Sequence, residues 1–370
     1  MSTKILLLAF RTSQRKFFQK LQKRSTKENL FEIVSTKSIL FPSISALREI
    51  HKVDLEPAIE FAVKEFYAKT DINIPEVVLK FFFTLLSIYN YMRYYKILRK
   101  GYQTVLLWNG GKFRQRIAIE IAQKLFNTQV CFYENGFLPN RIVFDKRGIN
   151  FDNSVPRDQA FYESYTSTTE LPRTIIQRRG KREEKFQVLK DPLPSQYIFV
   201  PFQVDYDTQI ITHSQWVHTM RELFTLIESI AKQTSWNFVL KEHPSSGKNY
   251  PDLHDRTKNI QSIQFANGYT TQELIEKSSA VITVNSTVGI EALLFHKKVI
   301  TLGNAFYNIN NISLRASSEE ELLELIKNLD SKSIDFALVD KFLQYLYDDY
   351  LIPDNSDIYD TFIQRLTHDL

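Results

Sequence analysis

Cysteine, glycine and proline are all scarce in this chain of 370 residues, with one Cys, 10 Gly and 12 Pro. A single cysteine, Cys131, excludes an internal disulfide and any zinc or iron–sulfur site built on several thiolates. It lies in the apolar run VCFY and reads as a small buried hydrophobe. So little Gly and Pro sets aside fibrous and low-complexity chains. Long hydrophobic runs are missing too. The longest candidate, VVLKFFFTLLSIYNYMRYYKILRK (77–100), has an uncharged part covering only 81–92, whereas a spanning helix takes about 20 residues. It reads as a half-buried helix, with an interfacial helix as the alternative because Arg93, Lys96, Arg99 and Lys100 follow the aromatics. The opening MSTKILLLAFRTSQRKFF has an apolar run too short for a secretory signal and no small-residue cleavage site. It reads as a first strand. A cytoplasmic location is expected. No aromatic–basic RNA-binding pattern or helix-turn-helix signal occurs, so nucleic acid is not an expected partner.

What is present is the profile of an ordinary folded protein: 43% apolar, 13% aromatic and 24% charged residues. The length exceeds what one core comfortably serves, so two domains are expected. The net charge of +5 is modest but unevenly placed, with basic clusters at 11–24, 93–116 and 173–182. These are either solvated faces or contacts for an anionic partner such as a nucleotide, an acidic glycan or a phospholipid surface.

Strand-like runs at 4–10, 104–110, 129–136, 197–203, 237–244, 280–287 and 297–303 alternate with helical spacing, as in MRELFTLIESIAKQ (220–233) and TTQELIEKSS (270–279). Such alternation predicts an α/β fold of two Rossmann-like parallel-sheet domains facing across a cleft, a GT-B-like layout. The expected division is an N-terminal domain over 1–180, a linker over 181–195 in the polar, proline-closed stretch, a C-terminal domain over 196–345, and a helical segment over 346–370 packing back on the N-terminal domain.

Ligand groups in such folds sit just past the strands. In WNGGKFRQR (108–116), the amides around Gly110 and Gly111 at a helix start could hold an anion, with Lys112, Arg114 and Arg116 near; a plain strand–helix turn is the alternative. In YENGFLP (133–139), Glu134 directly follows an apolar strand, where desolvation would suit a carboxyl to general acid work; otherwise it is an ordinary turn. In LKEHPSS (240–246), His243 could donate to a phosphate with Lys241 supplying charge, or the segment is a surface loop. In VNSTVGIEA (284–292), Ser286 and Thr287 with the helix-start N–H groups could cradle a phosphate, cap the helix, or both.

Taken in order, W-N-G (108–110), E-N-G-F-L-P (134–139), Q-V-x-x-D-T-Q (203–209), H-S (213–214), K-E-H-P (241–244), N-S-T-V-G-I-E-A (285–292) and L-G-x-A-x-Y (302–307) resemble the capsular polysaccharide β-Kdo transferases of Gram-negative bacteria. The resemblance runs from about 104 to 310; the first hundred residues match poorly beyond the opening strand. It implies a GT-B-like, metal-free, retaining enzyme that moves β-Kdo from CMP-Kdo by double displacement in capsule or surface-polysaccharide assembly. Carried over by position, Asp207 is the nucleophile and Glu134 the acid/base, while His243, Ser286 and Thr287 bind the donor phosphate. Lys241, Asn285, Gln203 and Gln209 belong to the same donor site. Asn109, Gly110, Lys112 and Arg114 are candidates for contacts with the Kdo carboxylate or the phosphate. Expected partners are CMP-Kdo, a glycan or glycolipid acceptor, and peripheral association with the inner membrane or with other capsule-assembly proteins; no cofactor is expected.

Two rival readings remain at this point. Asp205-Tyr206-Asp207 is formally a DxD, by which other transferases hold a divalent cation and a nucleoside diphosphate. If the stretch is a strand, the two aspartates share a face, with Asp207 the working carboxylate and Asp205 a supporting or solvent-facing group. His213 either touches the nucleotide or caps a helix starting near Ser214. The other rival is a non-catalytic export or assembly protein, resting on the basic and aromatic 77–116 region.

Overall fold

The computed structural model describes residues 3–38, 41–175, 190–355 and 357–367. The chain divides into two compact units, one formed by 1–136, 140–154 and 350–370, the other by 137–139 and 155–349. Residues 155–175 thus belong with the second unit, whereas the sequence reading carried the N-terminal domain to 180. Most of the expected linker, up to 189, lies outside the described residues.

Unit 1 opens with β1 (Thr3–Ala9), α1 (Thr12–Gln22) and β2 (Asn29–Ser35). Two helices follow, α2 (Glu56–Lys69) and α3 (Glu76–Leu98), then β3 (Thr104–Trp108), α4 (Phe113–Phe126), β4 (Gln129–Asn135) and β5 (Arg141–Asp145). Unit 2 holds α5 (Gln159–Ser164), β6 (Tyr197–Pro201), α6 (Thr208–His213), α7 (Met220–Ala231), β7 (Asn237–Lys241), α8 (Pro251–Thr257), β8 (Ile263–Phe265), α9 (Thr271–Lys277) and β9 (Ala280–Thr283). It continues through α10 (Val288–Leu294), β10 (Lys298–Thr301), β11 (Leu314–Arg315), α11 (Glu319–Lys327) and α12 (Phe336–Tyr345). The chain then returns to unit 1 as β12 (Ile352–Pro353) and α13 (Ile358–Thr367).

Unit 2 carries an all-parallel sheet in the order β11-β10-β9-β6-β7-β8. Its central strands read YIFVP, NFVLK and AVIT, nearly unbroken apolar runs, because helices cover both faces. The sheet of unit 1 runs β12-β5-β4-β3-β1-β2. Its β4-β3-β1-β2 part is parallel, while β5 and β12 add an antiparallel edge that the expectation of purely parallel sheets missed. Phe362 of α13 is fully buried and packs its ring against Phe17, Tyr133 and Phe144 in the unit 1 core. Cys131 lies at 0% exposure, and burial pushes its thiol up to about 12, so it stays protonated and inert.

Helix α3 buries Leu79, Tyr91, Tyr94 and Leu98 on one face and exposes Val77, Val78, Phe81, Phe82, Leu85 and Tyr89 on the other. Among the described residues no helix is long and apolar enough to cross a membrane.

Candidate active site

In unit 2 three adjacent strands, β9-β6-β7, end side by side; Lys241 closes β7, and the segments leaving the three strands carry the other donor-site candidates from that half of the sequence. Neighbouring strands lie about 4.8 Å apart, so these segments form one edge.

Strand β6 ends at Pro201, and Asp205 and Tyr206 form a turn instead of continuing the strand. The two aspartates therefore do not share a strand face, which corrects the sequence expectation. Asp205 is only 3% exposed; it accepts from the Met220 N–H (2.8 Å) and lies 3.4 Å from the Lys248 ammonium. Burial pushes its carboxyl above the ordinary value, against the pull of Met220 and Lys248. Asp207 is exposed and caps α6, its Oδ1 accepting from the Gln209 N–H at 2.9 Å. That bond fixes the direction of an exposed carboxylate. His213 ends α6, and its carbonyl accepts from Asn304 N–H (2.9 Å). No helix begins at Ser214; α7 starts at Met220 behind its cap, Thr219.

Gln203 and Asn285 are buried and turned to each other. Gln203 Oε1 accepts from Thr283 Oγ1 and the Asn285 N–H, its Nε2 donates to Asn285 Oδ1 (3.1 Å), and Asn285 Nδ2 donates to the Gln209 carbonyl (2.9 Å). This network ties the segment after β6 to the segment after β9. Ser286 Oγ accepts from the Val288 N–H at 3.1 Å, which leaves its own proton to donate elsewhere. Thr287 precedes α10 without capping it through its side chain. Both are half-buried.

After β7, the K-E-H-P segment divides its labour. Lys241 Nζ donates to the carbonyls of Asn267 (2.9 Å) and Tyr269 (2.6 Å), so its charge anchors a neighbouring loop. Glu242 is buried, 2.7 Å from His254 Nε2 and 3.0 Å from Asn267 Nδ2, while its N–H donates to Asn267 Oδ1. Sequence reasoning assigned Glu242, His254 and Lys248 no role; the signal for Glu242 was an acid directly after a buried strand. His243 stands between these anchors and Pro244, half-buried, and its Nδ1 accepts from the Ser245 N–H at 3.0 Å. In the neutral ring the proton is therefore on Nε2, a donor.

In unit 1, Glu134 is the penultimate residue of β4, paired with Val143 of β5 and not placed after the strand as the sequence suggests. Asn109, just past the adjacent β3, donates its Nδ2 to Glu134 Oε2 at 2.8 Å. Glu134 Oε1 accepts from the Asn135 N–H. Asn109 and Gly110 both have positive φ (66° and 90°), and a Cβ at Gly110 would meet the Phe132 ring. The amides expected to hold an anion are engaged within the turn: Gly110 N–H with Trp108 O, Gly111 N–H with Asn109 Oδ1, and Lys112 N–H with Gln115 Oε1. Lys112 Nζ pairs with Glu65 at 2.7 Å, and Arg116 donates to the Gly111 carbonyl. Burial pushes Glu65 up, but Lys112 and Lys69 outweigh it and hold the carboxyl below its ordinary value. Arg114 is exposed. Among the described residues no group of three or more His, Cys, Asp or Glu is placed to hold a metal ion.

This chain is similar over part of its length to several curated proteins. Protein FixF of Sinorhizobium fredii is 39% identical over 251 residues, which cover 67% of this chain and 60% of that protein. The capsule polysaccharide export protein KpsS of Escherichia coli is 28% identical over 43% of this chain and 41% of its own length. The chain thus spans about 60% or less of the curated relatives it matches. Among solved structures, the β-Kdo 2,7 transferase KpsC of Thermosulfurimonas dismutans aligns over 99% of both chains with a TM-score of 0.50 at 16% identity, a likeness of fold. The model of the family described as capsule polysaccharide biosynthesis protein matches residues 103–191 and 173–352. This chain belongs to the capsule polysaccharide biosynthesis protein family.

Proposed function

We propose that the chain is a retaining glycosyltransferase that moves β-Kdo from CMP-Kdo to a saccharide or lipid-linked acceptor in capsule or surface-polysaccharide assembly. The observation that carries this reading is the convergence of Asp207, His243, Ser286 and Thr287 at the ends of β6, β7 and β9. His243 Nε2 and the two hydroxyls are donors for the single phosphate of a CMP-sugar and stabilise CMP as it leaves. An Asp207 oxygen attacks the anomeric carbon as the carbon–oxygen bond to the phosphate breaks. The acceptor hydroxyl then displaces Asp207, giving up its proton to Glu134, and two inversions yield retention.

The rival DxD metal site is not favoured, because one of its two carboxylates is buried against an N–H and an ammonium while the other caps a helix in the open. Peripheral attachment to a membrane is supported by the exposed apolar face of α3.

The test is calorimetric binding of CMP with parallel CMP-Kdo turnover. His243→Ala and Thr287→Ala should each weaken CMP binding about tenfold or more, the value of one charge-assisted hydrogen bond. Turnover should survive EDTA. Unchanged CMP affinity in both variants would remove the donor site, and activity lost to EDTA but restored by Mn²⁺ would install the metal reading.

A further inference from the structure

Unit 1 contains a cavity of about 610 Å³, and it is lined by Asn109, Lys112 and Arg114, which the sequence offers as contacts for an anionic group. Part of its wall is built from residues at or just past the ends of three adjacent parallel strands: Phe10 and Arg11 after β1, Lys37 after β2, Trp108 closing β3, and Asn109 and Lys112 after it. Strand order reverses at β1, since β2 lies on one side of it and β3 and β4 on the other. The crevice outside the carboxyl ends of strands at such a switch point is where open α/β sheets take their ligands.

The charge of the wall is one-sided. Arg11, Lys37, Lys69, Lys112 and Arg114 line it, against the single carboxylate of Glu65. Glu65 is shared by Lys69 (2.8 Å) and Lys112 (2.7 Å). No carboxylate is paired with Arg11, Lys37 or Arg114 among the described residues. All three are exposed at the cavity, each holding its charge toward water. Helices α1 and α4, of 11 and 14 residues, begin at the same wall, and their N-terminal fields add to the positive potential. The remaining wall is aromatic: Phe83 and Phe113 pack edge to face at 5.6 Å, with Trp108 beside them in the lining. Positive edges with an apolar floor suit an acidic sugar or a phosphate ester whose ring or glycerol part lies against the rings.

We infer that this cavity binds the acceptor through an anionic group, a carboxylate or a phosphate, with Arg11 and Lys37 as the residues that select for charge. The inference rests on the proposed transferase reading for the word acceptor. Asn109 links the two, because it lines the cavity and donates to Glu134 at 2.8 Å. The acceptor hydroxyl would then enter next to the residue proposed to take its proton.

The test is titration calorimetry of the full chain with two probes, the methyl glycoside of Kdo for the carboxylate and glycerol 3-phosphate for the phosphate, each beside its uncharged counterpart. Saturable binding of one charged probe, weakened about tenfold by Arg11→Gln or Lys37→Gln and unaffected by Lys16→Gln or Lys23→Gln elsewhere on or beside α1, is the expected result. Which probe binds names the source of the charge. The exchanged side chains are exposed, and equal melting temperatures will show that the fold is intact. Binding of neither probe, equal binding of charged and uncharged forms, or equal losses in all four variants would overturn the inference. CMP affinity, measured separately, belongs to the donor residues of unit 2, so a failed donor site and a failed anion cavity give different patterns.

Discussion

At the scale of single residues, motif membership and chemical role separate. In K-E-H-P, Lys241 and Glu242 anchor loop 267–269 and His254, while His243 is half-buried with its Nδ1 accepting from the Ser245 N–H. In D-Y-D, burial divides two identical side chains into a buried support and an open carboxylate. The buried one makes a pH prediction. Because Asp205 titrates above the ordinary 3.8 when folded, the folded state holds a proton that the unfolded chain has already released. Stability should therefore fall as pH rises from 3.8 through the raised value. Asp205→Asn keeps an acceptor for Met220 N–H and removes the charge. Urea midpoints across this window should slope less in the variant; an identical slope would show that Asp205 is not the titrating group.

Which of these partners a reader of the sequence can find depends on separation along the chain. The residues after β6, β7 and β9 were legible because strand runs end in polar clusters. The partners that give them their roles were not. Lys112 meets Glu65 across 47 positions, and Lys241 meets carbonyls 26 and 28 positions on. No local pattern encodes these meetings; the fold creates them.

Among the elements, the seven strand runs read from periodicity correspond to β1, β3, β4, β6, β7, β9 and β10. Those not read are edge or short pieces. Strand β2 mixes Glu32 among its apolar residues because it is an edge strand with partly solvated faces, and β8, β11 and β12 are two or three residues long. Strand β5 pairs antiparallel with β4 through a hairpin, which alternation of strands and helices does not signal. The V-G-I-E and L-G-x-A-x-Y segments show why two elements travel together. Tyr307 donates to the Ser286 carbonyl, and a Cβ at Gly289 would fall inside the Tyr307 ring. In an open helix Gly→Ala gains about 0.5–1 kcal/mol. Here the clash should outweigh that gain, and Gly289→Ala should cost about 1–3 kcal/mol in chemical unfolding. Repeating the substitution in a Tyr307→Ala background should remove the penalty; a penalty that persists would locate the strain elsewhere.

Across the whole molecule, besides the short excursion over 137–139, the chain leaves unit 1 at Ser154 and returns at Tyr350, and one carboxylate of unit 1 binds both of these residues. Asp145, 2% exposed, accepts from the N–H groups of Arg147, Gly148 and Ser154, from Ser154 Oγ (2.7 Å) and from the Tyr350 hydroxyl (3.0 Å). Asp145→Ala would strand several buried donors at about 1–3 kcal/mol each, so a loss of about 3 kcal/mol or more is expected. Tyr350→Phe removes one donor and should cost about 1 kcal/mol. Equal losses for the two would contradict the shared-acceptor account.

The central claim is that Asp207 forms a covalent bond to the donor sugar. Intact-protein mass spectrometry after incubation with CMP-Kdo tests it most directly. Wild type and Asp205→Asn should gain the mass of one Kdo residue, and Asp207→Ala should gain none. An adduct that persists in Asp207→Ala, or free CMP accumulating with no adduct on wild type, would contradict the claim.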